Sequence, residues 1–306
     1  ELYKLSNEHN MPSEQLKLKL EIIRNKLFSA RENRIHPFKD KKILTDWNGL
    51  MIAALAQAGR IFNDDKLIEA SALAAQFIFK NMFSEEGLLL HRYKNGTAEI
   101  NAHADDYAFF IRGLLELYES TYEPKYLLKA IELNSLFIKH YWDETNGGFF
   151  FTADYGEKFL IRSKEIYDGA VPSANSVALI NMMLLSKITA GAQYDNYIEK
   201  MLHTFSSDIV RIPSAYTQFM TGFLFLSSPS HEVIITGNKN SADTQAMLRA
   251  VNNEYIPNKV TIFVPDDESE KNISSILPYT KNYAMINNKA TAYVCRNFEC
   301  KLPTND

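Results

Sequence analysis

The chain has 306 residues, of which 46% are hydrophobic and 23% are charged, a composition that excludes disordered, collagen-like and low-complexity proteins. Its net charge is −4 and it has no run of five like charges, so we expect neither a nucleic-acid partner nor an anionic membrane partner. No apolar stretch reaches the ~18 residues that a membrane span needs. The first residue is Glu1 rather than methionine, which is typical of an excised fragment or a processed product.

Residues 12 to 227 show helical periodicity throughout. The first helix is predicted from 12 to about 33, and a second, apolar on all sides, from 45 to 62. A helix that is apolar all round must be covered all round. A two-helix unit then recurs, in which a strongly apolar helix is followed by an amphipathic one. The amphipathic helices start near 64, 123 and 193, the last helix is predicted over 213–227, and about eight helices result.

This recurrence, with a period of roughly 60 residues, favours stacked helical hairpins, with the apolar helices as an inner ring and the amphipathic helices as an outer ring. An α-solenoid is the competing arrangement. Long connections with strand-like hairpins favour the (α/α) toroid: one covers 88–93 and turns at Asn95-Gly96, and another covers 148–151 and turns near Gly156. These connections all enter inner helices at their N-terminal ends and therefore share one face. A six-hairpin ring has twelve helices, so the predicted ring is incomplete.

From residue 230 the pattern changes to short buried strands that alternate with helices. Strands are predicted at 231–236, 259–264 and 291–295, and helices at 241–252 and from Glu268 to 276. This β-α-β-α-β order predicts a small α/β domain. The predicted domains are therefore 1–229, the helical-hairpin barrel, and 230–306, the α/β domain.

The two cysteines, Cys295 and Cys300, are too few for a disulfide scaffold. We expect two partly buried thiols and a reducing, cytoplasmic compartment. Their C-x4-C spacing is a poor zinc signal, and none of the seven histidines has the spacing of a metal-binding helix motif. Phosphate-binding loops and nucleophile elbows are also missing from the sequence. We therefore predict no metal and no cofactor.

Polar and aromatic residues gather at the N-terminal ends of the predicted inner helices, where free backbone N–H groups suit hydroxyl-rich or anionic ligands. Aromatic rings beside carboxylates are typical of a sugar subsite. The candidate catalytic residues are Asp46, Asp105, Asp106 and His103. The candidate substrate-binding residues are His36, Trp47, Asn48, Tyr107, Arg162, Lys164, Asp168, Ser173 and Asn175.

A purely structural interpretation competes with this one. Aspartate and serine are preferred N-caps, so Asp46, Asp105 or Asp106, and Ser173 fit helix capping as well as catalysis. Arg162 and Lys164 would clamp a carboxylate or, as we prefer, tie a long loop down by salt bridges. Capping does not account for Trp47-Asn48 or for a tyrosine that follows two aspartates.

Six segments, in order along nearly the whole chain, carry a family resemblance: RIHPFKDKKILTDWNGLMI at 34–52, DDYA at 105–108, WD at 142–143 with GGF at 147–149, RSK at 162–164, DGAVPSANS at 168–176 and ATAYVCRNFEC at 290–300. They resemble the YyaL family, which includes spermatogenesis-associated protein 20. The resemblance implies a barrel of the six-hairpin glycosidase type preceded by a thioredoxin-like domain. It also implies that this chain is the C-terminal part, without that domain and without the first hairpins. Lys41 departs from the family pattern, in which an acidic residue is expected at this position.

The leading functional hypothesis is a carbohydrate-binding or carbohydrate-active barrel of the glycoside hydrolase type. Hydrolysis needs one carboxylate as acid and a second as base or nucleophile, and Asp46 with Asp106 is the best pair, with Asp105 and Asp168 in reserve. The first alternative is a non-catalytic binding or scaffold module that serves the thioredoxin-like domain. The second is a sugar epimerase or isomerase, which would need acid and base groups such as His103 and His36. The expected partners are a sugar-like small molecule and the thioredoxin-like domain.

Overall fold

The computed structural model describes residues 1–157, 160–266 and 270–305, which fall into two units, 1–41 and 42–306. The first unit holds helix α1, Leu2–Glu8, and helix α2, Ser13–Glu32. The sequence predicted α2 but not α1. Leu16 is the one buried residue of α2, so this helix exposes apolar side chains along most of its length.

The second unit contains nine further helices within the described residues. They are α3 (Thr45–Phe62), α4 (Asp65–Asn81), α5 (Ala104–Thr121), α6 (Pro124–Tyr141), α7 (Ala174–Thr189), α8 (Asp195–Arg211), α9 (Thr217–Ser227), α10 (Ala242–Asn253) and α11 (Glu270–Ile276). The strands are β1 (Ile43–Leu44), β2 (Leu90–Lys94), β3 (Thr97–Asn101), β4 (His231–Gly237), β5 (Lys259–Pro265), β6 (Thr291–Arg296) and β7 (Glu299–Cys300). Among these helices, none is both long enough and apolar enough to cross a bilayer.

The helices pair into hairpins of the (α/α) toroid type, as predicted. Neighbouring contacts run α3 to α5, α5 to α7 and α7 to α9, which makes these four the inner layer, while α4, α6 and α8 pack outside them. The inner helix α5 is buried at every position from Asp106 to Tyr118 except Arg112. The outer helix α8 buries one stripe at a helical spacing, Ile198, Met201, Phe205 and Ile209. Burial therefore distinguishes α5 from α8. The helix predicted to be covered on all sides, α3, instead leaves Trp47, Met51 and Ile61 exposed.

Glycines let α3 and α5 approach closely. A Cβ atom on Gly49 would lie 2.6 Å from the backbone of Phe109 and Phe110, and one on Gly113 would lie 2.9 Å from the Gly49 carbonyl oxygen. No side chain fits at either contact without moving a helix. This approach fixes the N-terminal half of α3 against the middle of α5.

Several predicted boundaries shift in the structure. The helix expected over 213–227 is a 3₁₀ turn, Pro213–Ala215, followed by α9, and the helix expected from about 193 begins as a 3₁₀ turn, Ala192–Tyr194, before α8. The start predicted at Glu268 lies outside the described residues.

Of the two predicted hairpins in the long connections, one forms. Strands β2 and β3 pair around Asn95-Gly96, and β1 adds to β2 as a third antiparallel strand. The prediction of a strand pair over 148–151 that turns near Gly156 is wrong for the described residues. There, Phe149 makes a single antiparallel bridge to Trp142, and Phe151 bonds through its backbone to Ala104 and Ser163 instead.

The α/β layer follows the predicted β-α-β-α-β order and forms a four-stranded sheet, β5-β4-β6-β7. Strands β4 and β5 are parallel, whereas β6 is antiparallel to β4. Side chains of Ile234 and Ile262 join the helical core, while Val233 and Phe263 face a second, smaller apolar cluster with α10. One face of the sheet thus packs on the helices. The boundary at residue 230 stays a prediction.

The prediction of two free thiols is wrong: Cys295 and Cys300 form a disulfide. They face each other across the β6–β7 hairpin, whose turn residues Asn297 and Phe298 both have positive φ. A two-residue turn of this kind brings the flanking strand positions together, so the spacing that excludes a zinc site suits a cross-strand disulfide.

Candidate functional site

Asp106 lies in the first turn of α5 and is fully buried. One carboxylate oxygen accepts a hydrogen bond from the backbone N–H of Asp46 at 2.9 Å, and the other accepts from the backbone N–H of His103 at 2.7 Å. Nδ1 of His91, on β2, lies 3.0 Å from both oxygens. This carboxylate therefore joins the N-terminal ends of two inner helices and the adjoining hairpin, and satisfies N–H groups that helix starts leave unpaired.

Two histidines line this carboxylate and have opposite pKa shifts. The hydrogen bond to Asp106 raises the pKa of His91, whereas burial lowers the pKa of His103. The two rings contact each other edge to face with centroids 4.9 Å apart, and His103 also stacks on Phe151. At a given pH near neutrality His91 therefore carries more of a proton than His103.

Asp105 is the neighbour of Asp106 in sequence but lies in a different environment, because it is half-buried and not enclosed. Burial, followed by the charges of Asp106 and Asp46, raises its pKa from 3.8 to about 7. The backbone N–H of Ala174, the first residue of α7, hydrogen bonds to it and opposes that shift. Asp105 thus lies between α5 and α7 and exchanges its proton near neutral pH.

The first turn of α3 supplies three more candidates. Asp46 is half-buried, and its pKa is raised by burial and by the charge of Asp106. Its side chain also accepts from the Trp47 backbone N–H at 2.7 Å. The Trp47 side chain itself is 64% exposed, which leaves a ring face open to a ligand. Asn48 donates to the Leu44 carbonyl oxygen and holds the start of the helix.

Asp168 repeats, on the next pair of inner helices, what Asp106 does on the first pair. It is buried, and its oxygens accept from the backbone N–H of Ser173, which precedes α7, and from the backbone N–H groups of Gln218 and Phe219 in α9. Ser173 caps α7 by accepting from the Ser176 backbone N–H. Asp168 and Ser173 therefore both hold the starts of helices, which agrees with the structural interpretation of the sequence, helix capping.

Two further predicted binding residues lie inside the core. Asn175 is buried, accepts from the Phe149 backbone N–H and donates to the Phe149 and Glu165 carbonyl oxygens. Tyr107 is fully buried and stacks on Phe137, so its ring cannot stack on a sugar. The role of Tyr107 in substrate binding stays a prediction, and in this structure its side chain is part of the core.

Arg162 and Lys164 tie down the long connection before α7. Arg162 donates to the carbonyl oxygens of Thr152 and His140, and Lys164 pairs with Asp143 at 2.6 Å and donates to the Gly147 carbonyl oxygen. These bonds fit the interpretation that Arg162 and Lys164 hold the loop in place rather than bind a ligand.

His36 lies in the unit 1–41, where it is exposed and bonds to the Glu32 carbonyl oxygen. The other candidates all lie in the unit 42–306.

Among the described residues, His91, His103 and Asp106 each offer one metal-ligating atom, and these atoms lie within 4.8 Å of one another. The contact between His91 and Asp106 is already a direct hydrogen bond, and both carboxylate oxygens accept backbone N–H groups. We interpret the cluster as a hydrogen-bonded support of the site, and the prediction of no metal stays a prediction.

His91 was not among the candidate residues predicted from the sequence. It lies on a strand of the predicted hairpin, and only the register of β2 against β1 and β3 directs it to Asp106. The available signal was the predicted hairpin itself, since its last strand leads directly into α5 and its catalytic candidates.

The comparisons with known proteins agree with this architecture. The chain resembles a GH76 α-mannanase of Bacteroides thetaiotaomicron with a TM-score of 0.52 and 13% identity, over 79% of this chain and 70% of that one. It also resembles a cellobiose 2-epimerase of Bacillus thermoamylovorans, with a TM-score of 0.46 and 18% identity over 56% of this chain and 46% of the epimerase. The match to the α-mannanase shows that the fold is that of the six-hairpin, glycosidase-like (α/α) toroids.

Sequence relatives define the family. Human spermatogenesis-associated protein 20 is 34% identical over 291 residues, which are 92% of this chain and 37% of the human protein. An uncharacterised protein of Caenorhabditis elegans is 27% identical over 305 residues, 97% of this chain and 41% of its own length. No protein-family profile matches the chain. The chain belongs to the family of spermatogenesis-associated protein 20, and it spans well under half the length of these relatives.

Proposed function

We propose that the chain is a carbohydrate-active barrel of the glycoside hydrolase type, in which Asp105 is the general acid. The observation that carries this proposal is the pKa of Asp105, raised to about 7 at a half-buried carboxyl on the face with the long connections. A general acid must be protonated at working pH and must reach its substrate. The pKa of Asp105 and its partial exposure to solvent both support this role.

The proposal moves the acid role from Asp106, the choice made from sequence, to its neighbour. Asp106 is fully buried, and its oxygens accept from two backbone N–H groups and lie against His91. A carboxylate held in this way has no free oxygen to offer a glycosidic bond. Its negative charge instead raises the pKa of Asp105, so Asp106 acts through Asp105 as a positioning residue.

Asp46 is the second carboxylate of the proposed pair. It is half-buried at the start of the neighbouring inner helix, and its charge adds to the pKa shift of Asp105. Hydrolysis needs a base or nucleophile beside the acid, and Asp46 supplies an accessible carboxylate for it. The exposed ring of Trp47, next in the chain, gives an apolar platform for a sugar ring.

The substrate class follows from the fold only by analogy. The α-mannanase with the same fold acts on an α-mannan, which makes α-mannose oligosaccharides the first substrates to test. A sugar-like small molecule is thus the proposed ligand. The thioredoxin-like domain as a partner and the cytoplasmic location stay predictions.

One specific observation supports the epimerase hypothesis. His91 and His103 differ in the direction of their pKa shifts, as an acid and a base would. However, their rings contact each other at a centroid distance of 4.9 Å, so no substrate carbon fits between them. A hydrolase with carboxylates on neighbouring helices fits the geometry better, and a non-catalytic binding module stays the alternative.

The experiment measures release of reducing ends from α-mannose oligosaccharides and of aglycone from a panel of nitrophenyl glycosides. We expect Asp105→Asn to lower kcat about 10²- to 10⁴-fold, the usual contribution of a general acid, and to abolish the loss of activity above pH 7. Asp65→Asn, an exposed aspartate at the start of α4, is the matched control and should leave kcat unchanged. Unaltered turnover by Asp105→Asn would refute the assignment. Sugar binding without turnover in the unmodified chain would favour the binding module.

A further inference from the structure

The helix α2 carries a regular apolar stripe along one side. The stripe consists of Leu16, Leu20, Ile23, Leu27 and Ala30, which follow one another at spacings of 4, 3, 4 and 3 residues, as the a and d positions of a heptad do. Leu16 is buried, whereas the other four are exposed. At 3.6 residues per turn, the five positions cover only about 80° of the helix circumference. So narrow a stripe is typical of a seam between two helices.

Basic residues flank this stripe on both sides. The positions beside a heptad seam are e and g, and on α2 all of them are basic and exposed: Lys17, Arg24 and Arg31 at e, and Lys19 and Lys26 at g. Lys17 and Arg24 each lie near a glutamate of the preceding turn, at 2.8 Å and 3.6 Å. The other three make no ion pair with any residue that the structure describes. Exposed glutamates therefore offset the positive charge of the flanks only in part.

This charge pattern opposes a second copy of α2 as the partner. A parallel pair of helices brings each g position against an e position of the other helix, and an antiparallel pair brings e against e and g against g. With two copies of α2, every facing pair would be basic against basic, such as Lys19 against Arg24. Like charges at such positions are destabilising, whereas an acidic helix would make each of these pairs favourable.

A membrane surface fits α2 less well than a partner helix does. A helix that lies in a bilayer surface has one broad apolar face opposite one polar face. The remaining exposed apolar residues of α2, Leu18, Ile22 and Phe28, lie about 120° or more from the centre of the stripe. The apolar residues therefore do not combine into one broad face.

We propose that α2 pairs with an acidic amphipathic helix of a partner protein. The partner helix places apolar side chains along the stripe and glutamate or aspartate against its basic flanks. Burial of Leu20, Ile23 and Leu27 drives the pairing, and the flanking charges select an acidic partner over a basic one. The surface lies in the unit 1–41 and shares no residue with the proposed hydrolytic pair, so the two proposals are independent.

The test is calorimetric titration of the whole chain with two synthetic helices of three heptads, both with leucine at every a and d position. The glutamate peptide has glutamate at every e and g position, and the lysine peptide has lysine there. We expect the glutamate peptide to bind at least about tenfold more tightly than the lysine peptide. Its binding should weaken as sodium chloride is raised to about 1 M, where the Debye length is about 3 Å. Lys19→Glu, Arg24→Glu and Lys26→Glu together should remove the preference for the glutamate peptide.

Two neighbouring residues of α2 provide a matched pair of variants. Ile23, in the stripe, is 43% exposed, and Ile22, outside it, is 48% exposed, so Ile23→Asn and Ile22→Asn remove the same side chain from similar surroundings. Ile23→Asn should weaken binding of the glutamate peptide at least about tenfold, and Ile22→Asn by less than about twofold.

Three results would overturn the proposal. One is a dissociation constant above about 1 mM for the glutamate peptide, and another is equal binding of the two peptides, a comparison that needs no variant of the chain. The third is an equal loss of binding in Ile22→Asn and Ile23→Asn. Tighter binding to vesicles of equal parts phosphatidylserine and phosphatidylcholine than to the glutamate peptide would overturn it as well, in favour of a membrane surface.

Discussion

The raised pKa of Asp105 can be tested by measuring the pH dependence of the free energy of unfolding, as well as by measuring activity. Its pKa rises from 3.8 in an unfolded chain to about 7 in the folded protein. Between these two values the folded state binds the proton more tightly than the unfolded state does. At low pH the carboxyl is neutral in both states and does not affect the free energy of unfolding. As the pH rises from about 4 toward 7, the unfolded state loses its proton first, so the folded state is progressively destabilised relative to it.

The magnitude follows from the distance between the two pKa values. Each pH unit between them corresponds to about 1.4 kcal/mol, which gives an upper bound of about 4 kcal/mol above pH 7. Solvent reaches part of this half-buried carboxyl, so we expect about half of that bound, ~2 kcal/mol. Asparagine cannot ionise and can still accept the Ala174 N–H, so Asp105→Asn should remove the penalty.

The assay is urea unfolding of the unmodified chain and of Asp105→Asn at pH 5 and pH 8, followed by circular dichroism. The difference in the free energy of unfolding between the two proteins should grow by ~1 kcal/mol in favour of the variant from pH 5 to pH 8, because part of the penalty is already present at pH 5. Asp65→Asn should show no such growth. An Asp105→Asn variant that is equally stable relative to the unmodified chain at both pH values would refute the raised pKa, and with it the acid role.

Three further changes test the framework around this site. Asp168→Ala leaves three helix-start N–H groups without their acceptor and should destabilise the fold by about 3 kcal/mol in urea unfolding; no loss would show that water replaces the carboxylate. Gly49→Ala should cost more than about 3 kcal/mol because its Cβ would meet the α5 backbone, whereas Gly156→Ala, with 3.6 Å of room, should cost under ~1 kcal/mol. Reduction of Cys295–Cys300 should lower the free energy of unfolding by about 2 kcal/mol, as expected for so short a loop; two titratable thiols before reduction would contradict the disulfide.

Apolar periodicity predicted most of the helices because burial and helical spacing constrain each other. The inner helix α5 is apolar on nearly every side, and only an inner position covers such a helix completely. The outer helix α8 has one apolar stripe that specifies one buried face. The same logic located the strands of the α/β layer, each a short apolar run with a turn on either side.

The choice between Asp105 and Asp106 was beyond the sequence. Adjacent residues of a helix point about 100° apart, so one faces α3 and the other α7, and only the rotation of α5 about its axis decides which is enclosed. His91 was missed for a related reason: a strand places alternate residues on opposite faces, and its register depends on the pairing. Long-range packing settles both questions.

Asp106 and Asp168 each accept hydrogen bonds from the starts of two inner helices. In a simple repeat array each unit contacts only its neighbours and can fray by itself. Here the starts of α7 and α9 share the carboxylate of Asp168, and the starts of α3 and α5 share the carboxylate of Asp106. If one helix of a pair unfolds, the shared buried carboxylate loses some of its hydrogen-bond donors. Amide hydrogens at these four helix starts should therefore exchange with deuterium in two pairs, α3 with α5 and α7 with α9, at a common rate within each pair.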